Sequence, residues 1–336
     1  MITSSSSVFA CTFANAHGDR PGRSDAHPVP LPVADVLRST VERFDESRWV
    51  ARRLAEGRQA RLFSVRAGDG MTACAGEDDG SELVVKLYRA SGPDDRNAAR
   101  DEFECLARLH SRLNGTTHDG WNVRCPRPLH FCDRLAALVM TRVPGRTLTW
   151  HLAREAHPAA SDLLVSIPRA IVSALRCYWV GEPRLYGDLI LNNILCDPVT
   201  RSLSFVDPGM PERFYLCESA PLSWYPASRD LGFLLFWTAS LIRPSIAHPV
   251  LHARQKLMAA EIVRSFLDGL EPTTRRLQAT GEIEACARLH VDRMAVSASP
   301  RGMWRRLVKC AAAATIARIL DELRRTSSAL ARSNGC

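Results

Sequence analysis

Residues 185–197 read LYGDLILNNILCD, and after a short turn residues 203–209 read LSFVDPG. Polar side chains stand at three points of this stretch: at Asp188, at Asn193 five residues later, and at Asp207. They fall on loops at the ends of short strand-like runs, so they can bring one base and two oxygen ligands to a single point. Such a set suits a hard cation such as Mg²⁺ that carries phosphates. The spacing therefore predicts a pair of catalytic and metal-binding loops.

The arrangement resembles the catalytic and metal loops of the protein-kinase-like superfamily, and most of all those of its aminoglycoside phosphotransferase and choline kinase branch. The family pattern is His-Gly-Asp, four residues, Asn-Ile-Leu, a short hairpin, and then an apolar residue followed by Asp. Here the same order reads YGD at 186–188, NIL at 193–195 and FVD at 205–207. Tyr186 stands where the family has His, and Pro208 stands where it often has Phe or Trp.

Further segments extend this resemblance on both sides of the motif. LVVK at 83–86 looks like the strand with the nucleotide-binding lysine, and Glu102 looks like the helix glutamate that pairs with it. Residues 137–145 look like the strand and hinge that join two lobes, and SRDL at 228–231 looks like the start of a buried helix whose Asp braces the catalytic loop. The five elements occur in the family's order over roughly residues 45 to 270, which is far more specific than any single motif.

A strand-rich N-terminal part, one helix and then a mainly helical part predict an α+β protein in two lobes. The resemblance implies that this is a two-lobed protein-kinase-like fold, in which a small β-rich N-lobe with one helix precedes a larger helical C-lobe. The predicted division is a disordered tail over 1–40, a nucleotide-binding N-lobe over 41–143, and a C-lobe over 144–336. The C-lobe would contain the catalytic loop, the metal site and the acceptor-binding helices. The tail prediction depends on a segment rich in Ser, Pro, Gly and His without apolar periodicity.

The resemblance also implies a role for each matching residue in phosphoryl transfer from ATP. Asp188 would accept or orient the proton of the acceptor hydroxyl, while Asn193 and Asp207 would hold Mg²⁺. The nucleotide would meet four further positions: Lys86 at the α- and β-phosphates, Glu102 as the partner of Lys86, and backbone groups near Thr141 and Val143 at the adenine.

The implied reaction is transfer of the γ-phosphoryl group of Mg-ATP to a hydroxyl of a small-molecule acceptor. Only 22 residues separate Asp207 from Asp230, and they contain no Ala-Pro-Glu, so this segment is short for docking a peptide. A protein Ser/Thr kinase is one alternative. A catalytically weak kinase-fold scaffold is another, suggested by Tyr186 and by a single candidate loop glycine, Gly57, in place of GxGxxG.

Neighbouring residues compete for two of these roles. Glu104 competes with Glu102 as the partner of the lysine, but it faces a different side of the predicted helix, and Leu106 sets the register on Glu102. Asn192 competes with Asn193, and the five-residue offset from the catalytic aspartate favours Asn193.

Two of the aspartates also fit purely structural roles. Asp207 precedes Pro-Gly, a good turn sequence, and can act as a turn initiator. Asp230 precedes an apolar helix, and we expect it to be the N-cap residue whose carboxylate accepts from the free amides of that helix.

Positive charge is concentrated at the C-terminus. The net charge is +8, and the residues from Arg301 onward include eight Lys or Arg against two acids, so the rest of the chain is nearly neutral. This argues against a nucleic-acid groove that runs over the whole protein. We expect the basic segment to be a helix that docks on the helical lobe, with a weak contact to an anionic membrane surface as the alternative. Its predicted apolar stripe consists of Trp304, Leu307, Val308, Ala311, Thr315, Ile319 and Leu323.

The sequence favours a cytoplasmic location. The longest apolar run, 231–242, is shorter than the roughly 18–20 residues that span a bilayer. The N-terminus lacks the basic segment of a signal peptide. Eleven cysteines without a CxxC pair indicate reduced thiols.

Hydrophobic patterns predict the elements around these motifs. Strand-like runs cover 49–54, 60–65, 83–85, 127–132, 136–143, 193–196 and 203–206. Helical patterns cover 96–113, 148–156, 163–179 with Pro168 as a candidate start, 231–241, 257–270 and 304–323.

Overall fold

The structure is a computed structural model that describes residues 27–41, 44–56, 60–67, 82–89, 93–154, 160–180, 185–209, 226–241, 247–270, 273–292 and 300–333. The chain divides into two compact units. Unit 1 comprises Met1–Ser111 and Cys125–Val143, and unit 2 comprises Arg112–Arg124 and Pro144–Cys336. Three segments lie outside the described residues: the first 26 positions of the predicted tail over 1–40, the loop glycine Gly57, and positions 210–225 after the second motif.

The described chain contains runs of strands and, toward the C-terminus, a run of helices, which confirms the predicted α+β class. In order they are β1 (His27–Pro28), α1 (Leu31–Thr40), β2 (Trp49–Glu56), β3 (Ala60–Ala67), β4 (Glu82–Tyr88), α2 (Pro93–Leu113), β5 (Thr117–His118), β6 (Trp121–Arg124), β7 (Pro128–Cys132), β8 (Ala137–Thr141), β9 (Arg146–Thr147), α3 (Leu148–Ala153), α4 (Ala160–Trp179), β10 (Ile194–Asp197), β11 (Ser202–Phe205), α5 (Ala227–Ser240), α6 (Pro249–Asp268), α7 (Thr273–Asp292) and α8 (Pro300–Ser333).

Unit 1 is built on a six-stranded sheet of order β1-β2-β3-β4-β8-β7, in which every described neighbour pair is antiparallel. Strand β4 lies in the interior of this sheet, and its residues from Leu83 to Tyr88 are buried. Side chains of a strand alternate between the two faces. Leu83, Val85 and Leu87 belong to the hydrophobic core on one face, so Lys86 and Tyr88 fall on the other face.

Helix α1 corrects the predicted tail, because residues 31–40 are ordered against the sheet of unit 1. Val33, Val36 and Leu37 are fully buried in the same core as β4. These residues have the spacing of one helix face. The prolines before and within the first turn are typical of irregular segments, so the sequence did not predict a helix here. Pro32 is tolerated there because the first turn of a helix does not need its amide hydrogens.

Unit 2 contains a five-stranded sheet of order β5-β6-β11-β10-β9. Strands β10 and β11 form the hairpin between the two motif loops, and β6 runs parallel to β11. This pairing brings Arg112–Arg124 into unit 2, whereas the predicted division counted those residues with the N-lobe. Pairing between strands so distant in sequence leaves no local signal, so the sequence could not reveal it.

The helices of unit 2 differ from the predicted ones in two ways. Helix α7 was not predicted, because most of the residues that it buries are small, including Ala279, Cys286 and Ala287, and give a weak apolar pattern. Pro168 lies inside α4 and not at its start. The buried neighbours Ile167 and Ala170 show that packing holds the helix there despite the missing amide hydrogen.

Helix α8 packs against α5 and α7, which confirms the expected docking on helices of the same unit. The predicted stripe is confirmed only in part: Val308, Thr315 and Leu323 are buried, whereas Leu307 is 62% exposed and Ala311 is also exposed. The side chain of Trp304 lies outside the described residues. The buried stripe also includes Ala312, Ile316 and Leu320, which were not predicted. None of the described helices combines the length and the apolarity that crossing a membrane requires.

Helices α5 and α7 approach each other closely at Gly232. A Cβ atom at this position would lie 2.6 Å from the Cβ of Cys286 and 2.9 Å from the backbone nitrogen of Ala287. The second of these atoms is backbone and cannot move aside as a flexible side chain would. Only glycine therefore allows the two helices this separation.

Replacement of Gly232 with alanine is expected to lower the free energy of unfolding by about 1–3 kcal/mol, because an added methyl group overpacks the helix contact. Gly281→Ala in α7 is the matched control, since a Cβ atom added there would have no other atom within 4 Å. That change should raise the free energy of unfolding by about 0.5–1 kcal/mol, the usual effect of Gly→Ala inside a helix. Urea titrations of both variants measure these values, and equal stability of the two would contradict the close approach.

Candidate functional site

Lys86 and Glu102 form a buried ion pair within unit 1. The Nζ of Lys86 on β4 donates to both carboxylate oxygens of Glu102 on α2 at 2.7 Å. Only 6% of each residue is exposed. A buried cation is stable only where a carboxylate or another acceptor faces it, so each side chain requires the other. This pair is the one that the kinase resemblance implies.

Tyr88 supports the pair and was missed by sequence reasoning. It lies on the same face of β4 as Lys86, its hydroxyl donates to Oε2 of Glu102, and its ring centroid is 5.2 Å from Nζ of Lys86. The two-residue alternation of the strand could have identified it. The competing Glu104 is exposed and lies 3.7 Å from Arg108, so the structure favours Glu102.

The predicted adenine-contacting segment follows strand β8. The backbone N–H of Thr141 donates to the carbonyl oxygen of Arg127 at 3.0 Å, and the Thr141 hydroxyl accepts from the Arg127 N–H at 2.8 Å. The amide hydrogen of Thr141 therefore already has an acceptor inside unit 1. No hydrogen bond to the backbone of Val143 occurs within the described part of the chain, so Val143 retains the groups that a base would need.

In unit 2, Asn193 holds the loop of Asp188. Its Nδ2 donates to the backbone oxygen of Asp188 at 3.0 Å and to its Oδ2 at 2.9 Å. No described residue donates a hydrogen bond to the Oδ1 atom of Asn193. Asn193 is buried, whereas Asn192 is exposed, so the structure favours Asn193 over its neighbour.

The loop of Asp207 is fastened to the loop of Asp188 on both sides. The N–H of Val206 donates to the Asn193 carbonyl at 3.0 Å, and the N–H of Gly209 donates to the Tyr186 carbonyl at 2.7 Å. Asp207 itself has a φ of 56°, in the left-handed region that aspartate and asparagine enter more readily than other side-chain-bearing residues. An aspartate therefore suits the tight bend at position 207, two residues after the end of β11.

Tyr186 joins the two loops through its side chain as well. The residue is fully buried, with its ring in edge contact with Phe205 at a centroid distance of 6.1 Å. Its hydroxyl donates to the carbonyl of Val206 and lies 3.3 Å from the carbonyl of Asn193. The tyrosine therefore connects the two loops at the position where the family pattern has histidine.

Asp230 braces the same loop from helix α5. One carboxylate oxygen accepts from the N–H of Tyr186 at 2.8 Å and from Trp179 Nε1 at 2.8 Å, and the other accepts from the N–H of Gly187 at 2.9 Å. The predicted N-cap role is wrong, because Asp230 lies inside the first turn of α5 and Pro226 is the N-cap residue. The hydrogen bonds are those that the bracing role in the resemblance requires, and Trp179 is a partner that sequence reasoning missed.

Complete burial raises the pKa of Asp230 to about 6. The three N–H donors and the nearby Arg229 guanidinium act in the opposite direction, since they favour the ionised form, but the loss of hydration dominates. The carboxylate therefore requires its donors in order to remain ionised near neutral pH.

The donor set of the two loops fits a hard divalent cation. Asn193 Oδ1 and the carboxylate of Asp207 are oxygen ligands of the kind that Mg²⁺ prefers, and the bonds of Nδ2 to Asp188 fix which end of the amide is available. No group of three or more His, Cys, Asp or Glu side chains suited to a metal occurs among the residues that the structure describes. A magnesium ion held by Asn193 and Asp207 alone would keep water and substrate phosphates as its other ligands.

Comparison with protein-family models finds no match to this chain, and comparison with curated proteins finds no significantly similar sequence. The order of the motifs and the geometry of their side chains must therefore carry the assignment of function.

Proposed function

We propose that the protein is an ATP-dependent phosphotransferase that moves the γ-phosphoryl group of Mg-ATP to a hydroxyl of a small-molecule acceptor. In this proposal unit 1 and unit 2 are the two lobes of a protein-kinase-like fold. The observation that supports it most is the bonding of Asn193 to both the backbone and the carboxylate of Asp188, on a loop that Tyr186 and Asp230 hold in place. Preorganisation of this kind is what phosphoryl transfer requires, since most of its acceleration comes from positioning and charge stabilisation.

In the proposed reaction Asp188 accepts the proton of the acceptor hydroxyl. The hydroxyl oxygen forms the new bond to the γ-phosphorus, the bond from that phosphorus to the bridging oxygen breaks, and ADP leaves. Lys86 contacts the α- and β-phosphates, and Glu102 with Tyr88 keeps the lysine oriented and charged. The backbone of Val143 is the better candidate for the adenine contact, because the amide of Thr141 is already bonded.

Asn193 Oδ1 and Asp207 would hold the magnesium ion. When bound, Mg²⁺ would neutralise the charge of the phosphate oxygens in the transition state. The bonds from Asn193 to Asp188 would then link the metal ligand and the base, so that neither moves without the other.

A small acceptor is supported by the short sequence between Asp207 and Asp230, of which positions 210–225 lie outside the described residues. The proposal places the reaction in the cytoplasm, a reducing compartment in which cysteines remain thiols. The docking of the basic helix α8 on α5 and α7 gives that helix a partner within the protein, so no membrane or nucleic acid is needed to explain it.

Mg-ATP should raise the melting temperature of the wild-type protein, and Asp207→Asn should abolish that rise. At 100 times the dissociation constant a ligand stabilises the folded state by about 2.7 kcal/mol, which a thermal-shift titration detects. Asparagine tolerates the left-handed backbone of position 207, so this variant tests the charge. Asp119→Asn is the matched control, since Asp119 is an exposed aspartate with φ 48° in the turn between β5 and β6.

The same titration, together with an assay of phosphate transfer to protein, distinguishes the proposal from its alternatives. A shift that requires Mg²⁺ and persists in Asp119→Asn supports the nucleotide site. No shift in the wild-type protein would favour the non-catalytic scaffold. Phosphate that appears on a protein acceptor, in a manner that depends on Asp188, would favour a protein Ser/Thr kinase.

A further inference from the structure

Unit 1 contains an open cleft of about 550 Å³ beside Leu87, a residue of the core face of strand β4. It lies where the start of β3 and the end of β4 meet the short helical turn Asp133–Leu135 and the first turn of α1. A volume of this size is ordinary for a small-molecule site. Tyr88 lines the cleft as well as supporting the Lys86–Glu102 pair, but none of the residues proposed to bind phosphate, hold the metal or accept the proton lines it.

The wall of the cleft is positively charged. Three of its lining residues are arginines, Arg61, Arg89 and Arg134, and no acidic residue lines it. Each of the three is exposed. Three guanidinium groups around one opening create a field that attracts anions.

Two arginines elsewhere in unit 1 have acidic partners, unlike Arg61 and Arg134 in the cleft. Arg100 pairs with Asp133 at 2.8 Å, and Arg142 pairs with Glu82. Among the residues that the structure describes, no acid pairs with Arg61 or with Arg134. Their donors are therefore available to a ligand.

The N-terminus of α1 adds to this positive field. Pro32 in the first turn of α1 lines the cleft, and no acidic residue occupies that turn. A helix N-terminus has the equivalent of about half a positive charge, which no side chain of this turn offsets. The helix and the arginines therefore favour the same kind of ligand independently of each other.

Besides the arginines, the wall consists of Pro32, Leu87, Tyr88 and Leu135, whose side chains are apolar except for the Tyr88 hydroxyl. Guanidinium groups bind phosphate through paired hydrogen bonds, and an apolar wall favours a ligand with a carbon skeleton. We propose that this cleft binds a small phosphorylated organic molecule, with its phosphate on Arg61 and Arg134. The inference is independent of the proposed phosphotransfer.

The test uses phenyl phosphate as the probe, with phenol as its uncharged counterpart, in isothermal titration calorimetry without nucleotide. Phenyl phosphate should bind the wild-type protein, and the double variant Arg61→Gln, Arg134→Gln should weaken that binding at least tenfold. The matched control is Arg66→Gln, Arg124→Gln, which removes the same charge from exposed positions outside the cleft. Control and wild-type affinities should agree, and the affinity should fall as salt increases.

Several outcomes would overturn the proposal. These are no binding of phenyl phosphate to the wild-type protein, equal affinity in the cleft variant, and an equal loss in the control variant. Inorganic phosphate should bind more weakly than phenyl phosphate, and equal affinity of the two would overturn the organic part of the ligand class. None of the four arginines makes an ion pair within the described residues, so both double variants should keep the wild-type melting temperature. Measuring that temperature establishes that the variants are folded.

Discussion

Asp188→Asn is expected to lower the rate of phosphoryl transfer by about 10²–10⁴-fold, the usual contribution of a positioned general base. Mg-ATP binding should change little, because asparagine keeps an oxygen that can accept from Asn193 Nδ2 in place of the carboxylate oxygen 2.9 Å away. The measurement is ADP release in the presence of a panel of alcohols, sugars and amino alcohols, with the thermal shift by Mg-ATP as the test of binding.

Two asparagine variants control this experiment. Asn193→Ala should also reduce transfer, since it removes the bonds to Asp188 and the proposed metal ligand, whereas Asn192→Ala at the exposed neighbour should not. Wild-type turnover by Asp188→Asn would show that the base has been assigned to the wrong residue. Binding of Mg-ATP without turnover in any of the proteins would favour the scaffold alternative.

Asp230→Ala is expected to lower the free energy of unfolding by at least about 3 kcal/mol. Three buried N–H groups, from Trp179, Tyr186 and Gly187, would lose their acceptor, and each unsatisfied buried donor costs about 1–3 kcal/mol. Asp230→Asn should be intermediate, because one of its two side-chain oxygens remains. Urea titrations give these values from the shift of the unfolding midpoint, provided that the dependence of the free energy of unfolding on urea concentration is the same in all variants. Alanine and wild-type proteins of equal stability would contradict the bracing role.

The raised pKa of Asp230 also predicts how its contribution depends on pH. With a pKa of about 6 in the folded protein and an ordinary value of 3.8, the folded state retains a proton between these values that the unfolded state releases. The part of the stability that comes from this proton is therefore present at pH 4 and is lost as the pH rises through 6, whereas the hydrogen bonds to the three N–H donors remain. The stability difference between wild type and Asp230→Asn should decrease from pH 4 to pH 7. An increase over that range would mean that the N–H donors outweigh the loss of hydration.

Several site features were predictable because their signals are local. Glu102 was favoured over Glu104 by the register of one helix, and Asn193 over Asn192 by its distance along the chain from Asp188. The structure favours the same choices, because Glu102 pairs with Lys86 and Asn193 donates to Asp188. Residues a few positions apart on one helix or loop have fixed relative directions, so their spacing is informative.

Other parts of the site depend on residues far apart in sequence. Tyr186 holds the loop of Asp207 through the carbonyl of Val206, and Asp230 holds the loop of Asp188 from a separate helix. From the sequence alone Asp230 fits an N-cap equally well, because the direction of its carboxylate depends on where α5 is packed. Only the packing of that helix could distinguish these two roles.

Local periodicity and spacing were enough to establish the α+β class, the hairpin that separates the two motif loops, and the residue types that stand on them. Tertiary packing was needed to show that α1 is part of the sheet core, that β6 pairs with β11, and that Gly232 lets two helices approach. Those features arise from burial of surfaces that are distant along the chain, and no local pattern encodes which distant surface will cover them.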